Sequence, residues 1–143
     1  MSRPVVIDAN LGISLVTPVV YSSWVIQRMD EWRIQRTRIV VPTLWRYEVL
    51  SGLRKAISAG FITTESAGLA LEQLAAMAFE EITPTWEASH SILEWAGRIG
   101  QMVAYDSVYL ALAEQLGADF FTADRCLALA AKRAGINWVF STD

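Results

Sequence analysis

Apolar positions fall along the chain in two patterns, short continuous runs and longer stretches at helical spacing. Residues 4–10, PVVIDAN, are apolar without alternation up to Asp8. That is the pattern of a strand buried on both faces of a parallel sheet. Residues 21–35 place Tyr21, Trp24 or Val25, Met29 and Trp32 at helical spacing, with arginines and acids between them. RIVV at 38–41 is a second buried strand, and Pro42 then opens a helix that runs to Gly60. Trp45, Val49, Leu53 and Ile57 form its apolar stripe, with Leu50 beside them. Thr63 or Thr64 caps a helix through about Ala78, Glu81–Thr83 reads as a short strand, and Pro84 opens a helix through Arg98. The last third alternates: helix Ala104–Leu116 stopped by Gly117, strand Asp119–Phe121, helix Ala123–Ala134 stopped by Gly135, and strand Asn137–Phe140. Strands separated by helices predict βαβ units and a parallel sheet in one α/β domain over residues 1–143.

Composition narrows the chemistry. With 143 residues the chain can bury about two-thirds of its extended surface, so it needs no disulfide or structural metal to fold. The single cysteine, Cys126, excludes a disulfide framework and a multi-thiolate zinc site, and the single histidine, His90, excludes a histidine-rich metal site. The apolar run Leu11–Val20 is too short to span a membrane and contains Pro18. Asp8 and Asn10 interrupt any signal-peptide pattern, so a cytoplasmic protein with no membrane partner is expected. Net charge is −3, yet residues 1–60 carry eight basic groups against four acids and the remainder four against eleven. Non-specific duplex-DNA binding, which needs many phosphate contacts, is not the default reading of such a balance. A smaller single-stranded substrate or a basic protein partner stays open.

Four carboxylates stand at places that matter. Asp8 ends the first strand, Glu48 lies in the first half of a helix beside core-facing Val49, Asp106 sits near a helix start, and Asp124 follows DFFT at a strand–helix turn. By position alone Asp8 and Asp124 read equally as helix caps, Asp106 as a first-turn acid and Glu48 as a solvated helix residue. In a parallel sheet, however, Asp8 and Asp124 project from the same edge, where α/β proteins bind ligands. Ionised carboxylates about 5 Å apart at an effective dielectric near 20 repel by roughly 3 kcal/mol per pair. A divalent cation is the natural counter-charge, and hard oxygen ligands point to Mg²⁺ or Mn²⁺.

The blocks together resemble the PIN domain, in particular the VapC-type toxin ribonucleases of toxin–antitoxin pairs, over essentially the whole chain. VVIDAN resembles the opening strand with its first acid, Asp8, and the small polar Asn10. PTLWRYEVLSGLRKA resembles the second signature, with Glu48 as its acid. AYDSVYLALAEQLGADFFTADRCLALAAKRAG resembles the most specific part and supplies Asp106, Thr122 and Asp124. The resemblance implies a three-layer α/β/α sandwich around a five-stranded parallel sheet and metal-dependent endonucleolytic cleavage of RNA. Asp8, Glu48 and Asp106 would hold Mg²⁺ or Mn²⁺, and Asp124 would bind it directly or through water. Asn10 and Thr122 would orient the water or a scissile phosphate. A small antitoxin protein and a homodimer are the implied partners besides RNA. No acid follows Asp124 in the next turn, where some members carry one.

Other residues carry weaker signals. His90 has no partner in the sequence and reads as a surface or boundary residue, and Cys126 reads as structural. Trp45, Trp86 and Trp95 read as core, Trp138 as buried in or beside the last strand. Trp24 and Trp32 share a helix with Arg28, Arg33 and Arg36, which suits an antitoxin groove, a dimer surface or a plain basic face. Arg46 and Arg125 neighbour candidate acids and read as phosphate contacts or salt-bridge partners. Two alternatives to the toxin stay in play: a PIN-domain nuclease of RNA processing, and an inactive PIN-like binding module.

Overall fold

The structure, a computed structural model, describes residues 2–101 and 104–142. The chain forms β1 (Val5–Ile7), α1 (Ala9–Val16), α2 (Ser22–Gln35), β2 (Ile39–Pro42), α3 (Thr43–Ser58) and α4 (Thr64–Ala76). These are followed by β3 (Glu80–Ile82), α5 (Ala88–Arg98), α6 (Tyr105–Leu116), β4 (Asp119–Thr122), α7 (Arg125–Arg133) and β5 (Val139–Ser141). The five strands pair in parallel in the order β3-β2-β1-β4-β5. Successive strand residues face opposite sides of a sheet. Phe120 stacks on Tyr109 of α6 at 5.5 Å between ring centroids, while Phe121 meets Trp32 of α2 edge-on at 4.9 Å. Helices therefore cover both faces, and the fold is the expected three-layer α/β/α sandwich.

The strand order positions the site. From central β1 the chain steps to β2 and β3 on one side, then returns to β4 and β5 on the other. The reversal lies between β1 and β4, where the helices that follow the two strands diverge and leave a crevice at the strands' carboxyl ends. The registers Val5↔Asp119 and Ile7↔Phe121 align these ends, and the Asp8 N–H donates to the Phe121 carbonyl at 3.1 Å. Asp8 and Asp124 thus emerge from neighbouring strands at one edge.

Several predicted elements shift. Residues 9–16, where the pattern predicts no element, form α1. Its residues are apolar nearly all round, and Ala9, Leu11, Gly12 and Ser14 are buried. The helix expected from Pro84 begins at Ala88, because residues 83–87 remain outside it and Thr85 Oγ1 accepts the Ala88 N–H. The helix expected from Ala123 begins at Arg125, since Asp124 caps it. Ala78, at a φ of 51°, lies past the end of α4 rather than in it. The last strand begins at Val139, not Asn137.

Trp45 and Trp95 are buried as expected, whereas Trp86, expected in the core, is 91% exposed in the loop before α5. Trp138 is half-buried, edge-on to Trp95 at 5.7 Å. Leu50 is exposed. Cys126, expected to be structural, is exposed on the outer side of α7, and His90 is exposed on α5. Among the described residues, no helix is long and apolar enough to cross a membrane.

Candidate active site

Asp8, Asn10, Glu48, Asp106, Thr122 and Asp124 all line one cleft of about 600 Å³ at the sheet's switch point. Asn10, Glu48, Asp106 and Thr122 lie in α1, α3, α6 and β4, Asp8 and Asp124 at the N-caps of α1 and α7, and the fold brings the six together. Tyr47, Ser51, Lys55, Tyr105 and Tyr109 complete the polar walls.

Asp8 is a helix cap and a cleft carboxylate at once. Its Oδ1 accepts the Leu11 N–H at 2.9 Å, which caps α1, while Oδ2 accepts the Thr122 hydroxyl at 2.6 Å and the Ala123 N–H at 2.9 Å. Three of about four lone-pair positions are therefore taken. Its main-chain carbonyl accepts the Trp45 indole N–H at 3.0 Å. The indole reaches it because Gly12 has no side chain, and a methyl there would overlap Trp45 Cζ2. Asp124 has the same double character: Oδ1 accepts the Leu127 N–H at 3.0 Å and caps α7, leaving Oδ2 free of protein partners among the described residues.

Thr122 joins the two. It is fully buried, its hydroxyl proton goes to Asp8, and its oxygen accepts the Asp124 N–H at 2.9 Å. As it stands, that proton is not available to a water or phosphate. Asn10 is exposed in the first turn of α1.

Across the cleft the carboxylates are held more loosely. Glu48 is half-buried on α3, and its Oε1 accepts a hydrogen bond from the buried Tyr109 hydroxyl. Asp106, in the first turn of α6, is half-buried and accepts no hydrogen bond among the described residues.

None of the five ion pairs among the described residues includes any of the four carboxylates. Arg46, expected near Glu48, pairs instead with Glu81 of β3 at 2.6 Å. Arg125 lines a different groove. Lys55 is the one cation among the residues that line the cleft.

Burial without counter-charge raises the pKa values of Asp8, Glu48 and Asp106. Asp8 is pushed up chiefly by burial and further by the Asp124 charge, against the pull of its three hydrogen bonds. Glu48 is raised by burial and by the charges of Asp106 and Asp8, with the Tyr109 bond opposing. Asp106 is raised by burial, then by Asp124. Tyr109 is held far above its ordinary value by burial and then by its bond to Glu48, so it is a proton donor throughout the working pH range.

Among the described residues, no three His, Cys, Asp or Glu side chains close around a common point as they stand. The donor chemistry nevertheless fits a hard divalent cation: all oxygen, anionic and without a protein counter-ion. Glu48 Oε2, Asp124 Oδ2 and both Asp106 oxygens carry no protein hydrogen bond among the described residues.

Sequence reasoning missed Tyr109 and Trp45, which bond to Glu48 and Asp8, and Ser51 and Lys55 in the cleft wall. Tyr109 follows Asp106 by three positions and so shares its helix face, and Ser51 and Lys55 recur at helical spacing after Glu48. Those spacings were the available signal. Nothing in the sequence pointed from Trp45 to Asp8.

A family model of the PIN domain matches residues 5–143. No curated protein matches the sequence significantly. Among solved structures, PAE2754 from Pyrobaculum aerophilum aligns with a TM-score of 0.69 at 21% identity, over 96% of this chain and 83% of that one. VapBC2 from Rickettsia felis, bound to a DNA fragment from their promoter, aligns at 0.71 and 12% identity over 97% and 98%. FitAcB from Neisseria gonorrhoeae aligns at 0.63 and 18% over 95% and 96%. At such identities these likenesses speak of fold, while the family model spans nearly the entire sequence: the chain belongs to the PIN domain family.

Proposed function

We propose that the protein is a metal-dependent endoribonuclease acting as the toxin of a toxin–antitoxin pair in the cytoplasm. The observation that carries this reading is the set of four carboxylates lining one switch-point cleft without an ion-pair partner among the described residues, in a chain of a family whose members are generally nucleases. A bound Mg²⁺ or Mn²⁺ would supply the missing counter-charge, activate the attacking water and offset charge on the transferring phosphoryl group. Asp8, Glu48 and Asp106 would hold the ion with oxygens that their hydrogen bonds leave free, and Asp124 would join them directly or through a water. Tyr109 fixes the Glu48 carboxylate. Thr122 fixes Asp8 and Asp124 relative to each other, and exposed Asn10 and Lys55 are left to contact the water and the scissile phosphate.

The reaction is hydrolysis. Water forms the new P–O bond, the P–O3′ bond breaks in line, and the leaving oxygen takes a proton, giving a 5′-phosphate and a 3′-hydroxyl. The likeness to VapBC2 and FitAcB, both of toxin–antitoxin pairs, supports a small antitoxin protein as partner. A homodimer accompanies this reading.

The test is cleavage of a panel of structured and single-stranded RNAs by partner-free protein in Mn²⁺, Mg²⁺ or chelator, beside Asp106→Asn. Discrete cuts that need metal and fall by about 10³-fold or more in D106N are expected, the loss matching several kcal/mol of charge stabilisation. Absence of cuts in every condition, with parent and D106N binding Mn²⁺ equally weakly, would favour a binding module and end the nuclease reading.

A further inference from the structure

A second groove lies back to back with the acidic cleft. The turn from β4 into α7 divides its side chains between the two: Phe120, Thr122, Asp124 and Leu127 line the cleft, while Phe121, Arg125, Ala128, Leu129 and Lys132 line the groove. Residues 125, 128, 129 and 132 form one stripe of α7 at helical spacing. Trp24 and Arg28 of α2 form the opposite wall, and Phe140 of edge strand β5 lies in the floor, giving a groove of about 840 Å³.

Charge and aromatic surface coincide in this groove. Three cations, Arg28, Arg125 and Lys132, face one acid, Glu31, in a chain of net charge −3. Arg28 is held by Glu31 at 2.5 Å and lies over the Trp24 ring at 5.2 Å. Arg125 and Lys132 enter no ion pair among the described residues. Phe140 is 41% exposed although its ring is stacked on Phe121 at 5.1 Å, so one face is buttressed while the residue stays open to solvent. Two free cations with a buttressed aromatic ring match a single strand, whose phosphates need the charge and whose unpaired bases need a stacking face. Two cations are too few for a duplex, whose binding leans on many phosphate contacts. An apolar helix of a protein partner has no use for the cations. Arg125 follows Asp124 directly, so a strand crossing the carboxylates meets the groove next.

We propose that this groove between α2, α7 and β5 binds the single-stranded RNA that flanks the scissile phosphate, with Arg125 and Lys132 on phosphates and a base stacked on Phe140. The proposal deepens the nuclease reading and rests on it for the identity of the strand.

The experiment uses D106N protein in chelator, so that no RNA is cut, with a fluorescein-labelled single-stranded RNA of 15 nucleotides read by anisotropy across a salt series. Lys132→Gln is expected to weaken binding about fivefold and to flatten the log K against log salt slope by about 0.7, the share of one single-strand phosphate contact. Phe140→Leu, which keeps apolar bulk and removes the ring, is expected to weaken binding about tenfold with the slope unchanged. Arg133→Gln, an adjacent exposed cation outside the groove, should change neither quantity. Melting midpoints are compared so that only folded variants count.

Equal effects of K132Q and R133Q, or none from F140L, would overturn the proposal. So would unchanged RNA binding with altered self-association, which would make the groove a protein interface. The two readings fail separately. RNA binding through the groove without metal-dependent cleavage by the parent sinks the nuclease alone, and cleavage unaffected by K132Q and F140L sinks the groove alone.

Discussion

The two sides of the acidic cleft carry two carboxylates each and hold them in opposite ways. On the β1–β4 side, Asp8 and Asp124 accept hydrogen bonds from Leu11, Thr122, Ala123 and Leu127, and Thr122 ties the pair together. On the α3–α6 side, Glu48 has one bond, from Tyr109, and Asp106 has none among the described residues. The first side is scaffold and cleft wall together, because the same carboxylates that line the cleft also cap α1 and α7. The second side can move without cost to any helix end. The four acids share the cleft without closing on a common point among the described residues, and only those of the second side are free to adjust.

The largest effect that should break this contrast is the difference between Asp8→Asn and Asp106→Asn. Both remove a charge and both should abolish cleavage, but they part in stability. Asn offers one acceptor oxygen, while Asp8 receives donors on both of its oxygens. D8N must therefore point its NH₂ at either the Leu11 or the Ala123 N–H, leaving a donor unmet at a cost of about 1–3 kcal/mol, partly offset by the relief of a buried charge. D106N loses no hydrogen bond and sheds repulsion. In calorimetry of metal-free protein the D8N midpoint should fall about 5 °C below that of D106N. A D8N protein as stable as D106N would show that the acceptor geometry of Asp8 does not hold the end of β1.

The same contrast explains what the sequence made legible. β1 and β2 were readable because strands buried on both faces leave continuous apolar runs, β4 because helical patterns bracket it, and the six cleft residues because each stands at or near an element end or on a patterned helix. The cap and site readings of Asp8 and Asp124 competed in sequence, yet in space each residue caps a helix and lines the cleft at once. α1 was missed because eight mostly apolar residues are too short a run for a period to tell helix from strand. Trp86 and Cys126 were misplaced because residue type alone does not say which side of a loop or helix meets solvent. Thr122, expected to orient the water or a scissile phosphate, is buried with its hydroxyl bonded to Asp8 and the Asp124 N–H, partners no local pattern announces. The Tyr109–Glu48 bond spans 61 residues, so no local pattern could announce it.

Tyr109→Phe sharpens the comparison from the loose side. It deletes the one hydrogen bond that aims Glu48 and keeps the ring that stacks on Phe120. Removing a partner that orients a metal-binding carboxylate typically costs 10–100-fold in affinity. Titration calorimetry with Mn²⁺ in the absence of RNA should show a loss of about tenfold, with the melting midpoint moved by no more than a few degrees. Unchanged Mn²⁺ affinity would mean that Glu48 needs no aiming, and the loose side would then be loose by design at both of its carboxylates.

The smallest expected effect is a pH dependence whose sign runs against common acid denaturation. Asp8, Glu48 and Asp106 all have pKa values raised in the fold, chiefly by burial. Between the unfolded value near 4 and each raised native value, the native state binds more protons than the unfolded chain, so stability falls as pH rises through that window. Any one such group contributes at most about 1.4 kcal/mol per pH unit. The surface pair Arg38–Glu80 acts in the other direction, since the lowered Glu80 pKa lends stability that is lost as pH falls through its native value. The informative quantity is therefore the difference between parent and D106N in denaturant melts under chelator. Above pH 4 the parent's stability should decline relative to D106N and level off once Asp106 is ionised. A parent curve parallel to that of D106N would mean that Asp106 feels neither its burial nor Asp124, and the repulsion that invites a cation would have to come from the fixed wall alone.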